Sequence, residues 1–431
     1  MHARAPLLAL LAVALGACAG RPTGVLLPVA ATVPGASRVE MLVATTRKTA
    51  SSAGDVYSGE RGPALAYTAI DVSIPPDSRR EAGTVQWPAA VPGNPATDFV
   101  TTRVAPVDDR QAVAWVDREV RARGRERASG PRKRQVLLFV HGFNNRFDDA
   151  VFRFAQIVHD SRADVVPVLF TWPSRGSVLA YGYDRESTNY SRNALETVLR
   201  RLANDPGVDE ITVLAHSMGN WLTLESLRQM AIRDRRVAPK IKNVLLAAPD
   251  VDVDLAREAF RDMGTSRPRL SLMVSQDDNA LAVSRLVWGS STRLGAIDPL
   301  KEPYRSELAR EDIAVLNLTD LKSSDPLNHS KFASSDVVAL LGRRLADGQP
   351  ITDARVGIGD RVVQTATGAA ATLATGAALA VNAPVAVVDP QTRETYGEHL
   401  QNFGQGFGDA LGSGADLGRA SGRALVGRGG Q

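Results

Sequence analysis

The sequence predicts an α/β fold, a mainly parallel β-sheet covered on both faces by crossover helices. From Gln135 onward, short apolar runs alternate with stretches whose apolar residues recur at helical spacing. The runs are continuous in Val, Leu and Ile, as expected for strands that are buried on both faces of a sheet. The two observations together favour a parallel sheet over an antiparallel one.

Nine runs are predicted as strands. Three lie in the N-terminal part and are separated by turns rich in Gly and Pro: Val39–Thr45, Ala66–Ile74 and Asp98–Val104. Six follow in the α/β part: Val136–Val140, Val165–Phe170, Ile211–Ala215, Asn243–Ala248, Leu270–Ser275 and Ile313–Leu318. The apolar residues between them predict helices that begin near Phe147, contain Leu195–Leu202, and contain Leu224–Ala231.

Composition excludes several classes of protein. The 431 residues can bury a large core, and 51 Lys and Arg against 47 Asp and Glu give a net charge of only +4. Wholesale disorder and strong nucleic-acid binding do not fit these values, and no nucleic-acid partner is expected. The single cysteine, Cys18, excludes an intramolecular disulfide, a thiolate zinc cluster and an iron–sulfur site.

The first seventeen residues have the pattern of a secretory signal. Arg4 is followed by the short apolar run Leu7–Leu15 and by two small residues before Cys18. This resembles a bacterial lipobox, which implies that Cys18 becomes the lipidated first residue and anchors the chain to a membrane. An ordinary signal peptide with an incidental cysteine is the alternative. The lipobox implies the bacterial cell envelope, and Ala19 favours the outer membrane, facing the periplasm or the surface.

The chain divides into four predicted parts. Residues 1–17 are the signal, and residues 18–37 are the lipidated N-terminus with a flexible tether. Residues 38–346 form the α/β domain. Residues 347–431 form a low-complexity tail rich in Ala and Gly, partly helical or disordered.

The segment Ala215–Gly219 indicates a nucleophilic serine. A buried strand ends in His216, and Ser217 comes directly before an amphipathic helix. This is the arrangement of a nucleophile elbow, in which small residues two before and two after the serine let strand and helix approach closely. Ser217 is therefore the predicted nucleophile.

The general base must follow the nucleophile along the chain in this architecture. Six histidines are present, and only His329 and His399 come after Ser217. His399 lies in the low-complexity tail, whereas His329 follows the last predicted strand by about ten residues. Elimination selects His329. No pair of histidines has metal-site spacing, so neither a metal nor another cofactor is expected.

The acid that orients the histidine should follow the second strand after the one that leads to Ser217. That strand is followed by Asp277 and Asp278, and Asp278 leads because it opens the next helix. The neighbouring Asp277 remains open, as do Asp250 and Asp252 after the preceding strand. Helix capping is the alternative role for each of them.

Two backbone amides are expected to bind the oxyanion of a tetrahedral intermediate. One is the amide of Met218 at the start of the helix. The other is the amide of Phe143, in the loop after the strand Val136–Val140, where Gly142 lets the backbone turn.

Six stretches together resemble the α/β-hydrolase superfamily, and more narrowly a bacterial esterase/lipase-like subfamily: Val43–Arg47, Phe139–Asn144, Phe170–Ser174, Tyr183–Glu186, Ala215–Asn220 and Ala247–Asp252. The resemblance implies an α/β-hydrolase fold and a triad of Ser217, Asp278 and His329. It implies a serine hydrolase that cleaves carboxylic esters through an acyl-enzyme. A thioesterase, peptidase or acyltransferase on the same triad is one alternative, and a non-catalytic surface binding lipoprotein is the other.

Overall fold

The computed structural model describes residues 22–30, 33–125, 133–287 and 291–347. Within these ranges nine strands form one sheet in the order β3-β2-β1-β5-β4-β6-β7-β8-β9. Strands β1 and β4 to β9 are mutually parallel, and β2 is antiparallel to both β1 and β3. The strands are β1 (Ser37–Thr49), β2 (Tyr57–Ile74), β3 (Val100–Val107), β4 (Gln135–Val140), β5 (Val166–Thr171), β6 (Glu210–His216), β7 (Ile241–Ala247), β8 (Arg269–Val274) and β9 (Ala314–Asn317).

Helices cover both faces of the sheet. Among the described residues there are eight: α1 (Asp109–Arg125), α2 (Phe147–Ser161), α3 (Tyr181–Asn204), α4 (Gly219–Asp234), α5 (Val253–Met263), α6 (Asn279–Val287), α7 (Tyr304–Arg310) and α8 (Ser335–Asp347). Helices α1, α3, α4 and α5 pack on one face, and α2 and α8 pack on the other, each with its own apolar cluster. The predicted fold class, a mainly parallel sheet between two helical layers, is confirmed.

Strand β2 begins earlier than its apolar pattern indicated. The predicted run starts at Ala66, whereas β2 starts at Tyr57 and pairs with the end of β1. Gly59, Gly62 and Pro63 lie inside this extension, and such residues usually indicate a turn. A side chain at Gly62 would lie 2.6 Å from the carbonyl oxygen of Arg47, so glycine is required where the two backbones approach.

Residues 22–30 correct the prediction of a flexible tether. Leu26 is fully buried, and its amide donates to the carbonyl of Gly54 at 3.0 Å. The carbonyl of Pro22 accepts from Arg146 Nη2 at 3.3 Å. Apolar burial and backbone hydrogen bonds therefore hold this part of residues 18–37 against the domain. The signal, Cys18 and residues 348–431 lie outside the described residues.

Helix α8 packs closely on the end of helix α2. A Cβ atom added at Gly342 would lie only 1.7 Å from the carbonyl oxygen of Ser161. The two helices can approach this closely only because residue 342 has no side chain. Gly182, in the first turn of α3, has nothing within 4 Å of the same hypothetical atom.

We therefore expect Gly342→Ala to lower the free energy of unfolding by about 1–3 kcal/mol, because the added methyl group forces α8 away from α2. Gly182→Ala is the matched control, since it adds the same group to an exposed helical site. It should change stability by less than about 1 kcal/mol, in the stabilising direction. Urea unfolding followed by circular dichroism measures both values, and equal effects would contradict the packing argument.

Candidate active site

Ser217 lies at the sharp turn between strand β6 and helix α4. Its backbone is left-handed, with φ of 53°, which is uncommon for a residue with a side chain. The turn is held by hydrogen bonds from Ser217 N to the carbonyl of Ala247 at 2.9 Å, and from Asp250 N to the carbonyl of Ser217 at 3.2 Å. The backbone thus has the sharp strand-to-helix form that the sequence predicted around this serine.

Two glycines allow the main chains to meet around Ser217. A Cβ atom at Gly219 would lie 2.3 Å from the carbonyl oxygen of His141, and one at Gly142 would lie 2.7 Å from Cβ of Ser217. Both distances are too short for real atoms. Helix α4 and the loop after β4 can therefore enclose Ser217 only with glycine at these positions.

The structure brings Asp278 and His329 together. Asp278 follows strand β8, His329 follows strand β9, and their side chains are joined by a hydrogen bond of 2.7 Å between Oδ2 and Nδ1. The other oxygen, Oδ1, accepts from the amide of Leu281 at 3.0 Å and caps helix α6. The carboxylate is buried, and each of its two oxygens accepts one of these hydrogen bonds.

The other three aspartates considered for this role have different partners. Asp277 forms an ion pair with the buried Lys331 at 2.7 Å. Asp250 accepts hydrogen bonds from Tyr181 and Ser284. Asp252 caps helix α5 through the amides at its N-terminus. Among the four, Asp278 is the one whose hydrogen bonds reach His329.

His216 connects the two halves of the site, a role that was not expected from the sequence. Its ring donates from Nε2 to the carbonyl of His329 at 3.2 Å, and it stacks on Phe332 with ring centres 4.2 Å apart. Since His216 directly precedes Ser217, the chain at Ser217 is tied to the loop of His329. Within the described part of the chain, Ser217 Oγ itself makes no hydrogen bond with His329.

The two predicted oxyanion donors belong to segments that adjoin Ser217. Met218 is buried at the start of α4, and Phe143 follows Gly142 in the loop that contacts Ser217. Among the described residues, neither amide donates to an acceptor. Two unpaired N–H groups beside a serine can stabilise a developing negative charge.

A buried arginine, Arg47, forms hydrogen bonds with the loop that contains Phe143. Arg47 donates from Nη2 to the carbonyl of Asn145 at 2.8 Å, and from Nη1 to the carbonyl of Ser174 at 2.8 Å. Burial lowers the pKa of Arg47 to about 10, against the opposing effect of nearby carboxylates such as Asp184. Arg47 therefore stays charged at neutral pH.

Asp184 holds the same loop from helix α3. It accepts hydrogen bonds from Ser174 Oγ and from the amide of Asn144 at 3.4 Å. Ser174 Oγ in turn accepts from the amide of Asn145 at 3.1 Å. The motif Tyr183–Glu186 had no assigned chemistry in the sequence, and its aspartate proves to be a structural support of this loop.

The environment of His329 favours its protonated form. Burial lowers the pKa of the imidazole, but the charge and hydrogen bond of Asp278, together with the charges of Asp250 and Asp325, raise it, and the net direction is upward. Below that pKa the ring is an imidazolium and cannot accept a proton. A reaction that needs His329 as a base should therefore slow as the pH falls through a value above the ordinary one of about 6.5.

The sheet, its two helical layers and the serine at the strand-to-helix turn define an α/β hydrolase. The family model of alpha/beta hydrolases of unknown function (DUF900) matches residues 119–344, more than half of the chain. The chain belongs to this family, which supports an enzyme of the hydrolase type.

Two individual proteins resemble parts of the chain. An uncharacterised protein from Nostoc sp. strain PCC 7120, alr1448, is 37% identical over 79 residues, which are 18% of this chain and 21% of the relative. The chain thus matches about a fifth of that relative's length. The solved structure of a candidate cell surface hydrolase from Lactobacillus plantarum WCFS1 covers 51% of this chain and 94% of its own, with 9% identity and a TM-score of 0.31.

Two further features concern only the residues that the structure describes. None of their helices is both long and apolar enough to cross a membrane. They also contain no group of three or more His, Cys, Asp or Glu side chains placed to hold a metal ion.

The contact between Asp278 and His329 predicts the titration of the imidazole. The pKa of His329 should lie above its ordinary value, and Asp278→Asn should lower it, because the variant removes the negative charge that stabilises the imidazolium. Asp252→Asn is the matched control and should leave the pKa unchanged, since Asp252 caps helix α5. Histidine-selective NMR over pH 5–9 measures all three proteins. A His329 that titrates alike in wild type and Asp278→Asn would contradict the pairing.

Proposed function

We propose that this protein is a serine hydrolase that cleaves carboxylic esters through an acyl-enzyme intermediate. Ser217 Oγ attacks the ester carbonyl, and His329 Nε2 takes the hydroxyl proton. The alcohol leaves with that proton, and water then hydrolyses the acyl-enzyme with His329 again acting as base. The observation that carries the proposal is the 2.7 Å hydrogen bond between Asp278 and His329, in a loop tied to Ser217 through His216.

Each group has a physical role in this mechanism. Asp278 holds Nδ1 protonated, which leaves Nε2 free to accept the proton, and its charge stabilises the imidazolium that forms. The amides of Phe143 and Met218 stabilise the oxyanion, because both are unpaired among the described residues. The strained left-handed backbone keeps Ser217 at the turn before the positive end of helix α4.

Ser217→Ala should reduce hydrolysis of p-nitrophenyl esters by about a thousandfold or more, because no other group can form the acyl-enzyme. A fluorophosphonate probe should label wild type and not the variant. Ser226→Ala is the matched control, since this serine lies on the same helix and bonds only backbone carbonyls. Its activity should stay within about twofold of wild type.

Equal hydrolysis by Ser217→Ala and wild type would refute the nucleophile. If Ser217 is labelled but esters are not cleaved, the acyl chemistry lies with another substrate class. A parallel panel of thioesters and amides identifies that class.

We also propose that the protein is anchored to the bacterial envelope by acyl chains on Cys18, facing the periplasm or the surface. The support is the apolar run Leu7–Leu15, too short to span a bilayer, followed by two small residues and then by the single cysteine of the chain. The signal and Cys18 lie outside the described residues.

Cys18→Ser should move the protein from the detergent phase to the aqueous phase in detergent partitioning, because the variant cannot be acylated. Metabolic labelling with an alkyne fatty acid should mark wild type and not the variant. Ala17→Ser is the control, since it retains a small residue before the cysteine. Equal labelling of Cys18→Ser and wild type would exclude this anchor.

A further inference from the structure

The ring of His141 makes two hydrogen bonds that define its tautomer. Nδ1 lies 2.8 Å from the carbonyl oxygen of Gly142, and the amide of Trp172 lies 3.1 Å from Nε2. A carbonyl can only accept and an amide N–H can only donate, so Nδ1 carries the proton and Nε2 does not. Arg47 Nη2 also faces Nε2, at 3.4 Å.

The surroundings keep this ring in place and uncharged. His141 is 1% exposed and stacks on the indole of Trp172 with ring centres 4.9 Å apart. The indole N–H of Trp172 donates to the carbonyl of His141 at 2.8 Å. Burial, with the positive charge of Arg47, lowers the pKa of His141 to about 3. The ring is thus a neutral Nδ1–H donor throughout the range in which the protein would work.

The hydrogen bond to Gly142 fixes the direction of the next amide. The Gly142–Phe143 peptide is trans, and in a trans peptide the C=O and N–H groups point in opposite directions. Because the carbonyl is drawn towards His141, the N–H of Phe143 is turned away from it. That N–H is unpaired among the described residues, whereas the amides of Asn144 and Asn145 are both bound.

Because residue 142 is glycine, the peptide that follows it needs the hydrogen bond from His141 to hold its orientation. Gly142 cannot carry a side chain, because a Cβ would lie 2.7 Å from Cβ of Ser217 and 2.8 Å from Nδ1 of His216. A glycine peptide rotates more freely than any other. Without a fixed acceptor for its carbonyl, the Gly142–Phe143 peptide could turn its N–H away from the site.

We infer that His141 is a positioning residue that holds the Phe143 amide in the orientation needed to bind the oxyanion, with Trp172 and Arg47 selecting its Nδ1–H tautomer. The inference rests on the proposed ester hydrolysis for its kinetic consequence. Its structural part, the tautomer and the peptide orientation, is independent of any activity.

The tautomer can be measured on the full-length wild-type protein. Nitrogen-15 NMR with labelled histidine should show His141 protonated at Nδ1 and unprotonated at Nε2, without change from pH 5 to pH 9. A ring protonated at Nε2, or one that titrates in this range, would overturn the inference without requiring a variant.

Two substitutions of His141 distinguish the effect of its hydrogen bond to Gly142 from the effect of the rest of the imidazole ring. Asparagine places an amide near the position of Nδ1 and can still donate to the Gly142 carbonyl, whereas the longer glutamine reaches towards the position of Nε2. We expect His141→Gln to lower kcat by about a hundredfold with KM within about twofold, as for loss of one oxyanion donor. His141→Asn should retain kcat within about tenfold of wild type. Inhibition by a trifluoromethyl ketone, which forms a charged tetrahedral adduct, should weaken in parallel with kcat.

Ser191→Ala is the control for a general loss of packing. It breaks the buried hydroxyl pair of Ser191 and Thr46, next to Arg47, and does not contact the loop. Its kcat should equal that of wild type. Crystal structures of both His141 variants report the orientation of the Gly142–Phe143 peptide. A peptide that turns in His141→Gln while wild type cleaves no ester supports the positioning role and refutes the proposed function. An unchanged peptide with unchanged kcat refutes the positioning role alone.

Discussion

The contact between the start of helix α4 and the end of strand β4 is the constraint on which the candidate site depends. Gly219 lies against the carbonyl of His141, and Gly142 lies against the side chain of Ser217. These approaches bring Ser217, the loop of Phe143 and Met218 to the carboxyl ends of strands β4 and β6. A single methyl group at either glycine would push apart elements that the parallel register of β4 and β6 holds together.

The loops that carry Asp278 and His329 are joined by the buried side chain of Lys331. Lys331 is buried and donates to Asp277, to Ser275 Oγ and to the carbonyl of Leu318, so its charge is fully paired. A buried lysine with a complete set of acceptors is costly to disturb, since removal of one partner leaves the other charge unpaired. The ion pair therefore joins the loop after β8, which carries Asp278, to the loop after β9, which carries His329.

Much of this architecture could be predicted from the sequence. Buried parallel strands appear as continuous apolar runs, and the helices between them appear as apolar residues at helical spacing. All nine predicted strands are in the sheet. Chain order reduced the candidate bases to His329 and His399, and the low-complexity surroundings of His399 then selected His329. The choice among the aspartates was harder. Asp277 and Asp278 are neighbours with the same chemistry, and only the path of the loop decides which carboxylate faces the histidine and which faces Lys331.

The residues that support the loop of Phe143 lie in motifs that the sequence shows, but their structural role could not be predicted from it. Arg47 lies almost a hundred residues before the loop it supports, and Asp184 lies on a helix about forty residues after it. No local pattern states that such distant groups share one cluster of hydrogen bonds. The packing of His216 could not be predicted either, because the ring it stacks on, Phe332, comes from the C-terminal end of the domain.

The hydrogen bond from Arg146 to the carbonyl of Pro22 holds the first described residue against the domain. Arg146 directly precedes helix α2 and follows the loop of Phe143, so Pro22 lies near the end of the sheet that carries Ser217. Three residues lie between Cys18 and Pro22, and four residue steps span at most about 14 Å in an extended chain. If Cys18 carries the proposed acyl chains, the end of the sheet that carries Ser217 would lie close to the lipid headgroups, which would favour substrates present at the bilayer surface.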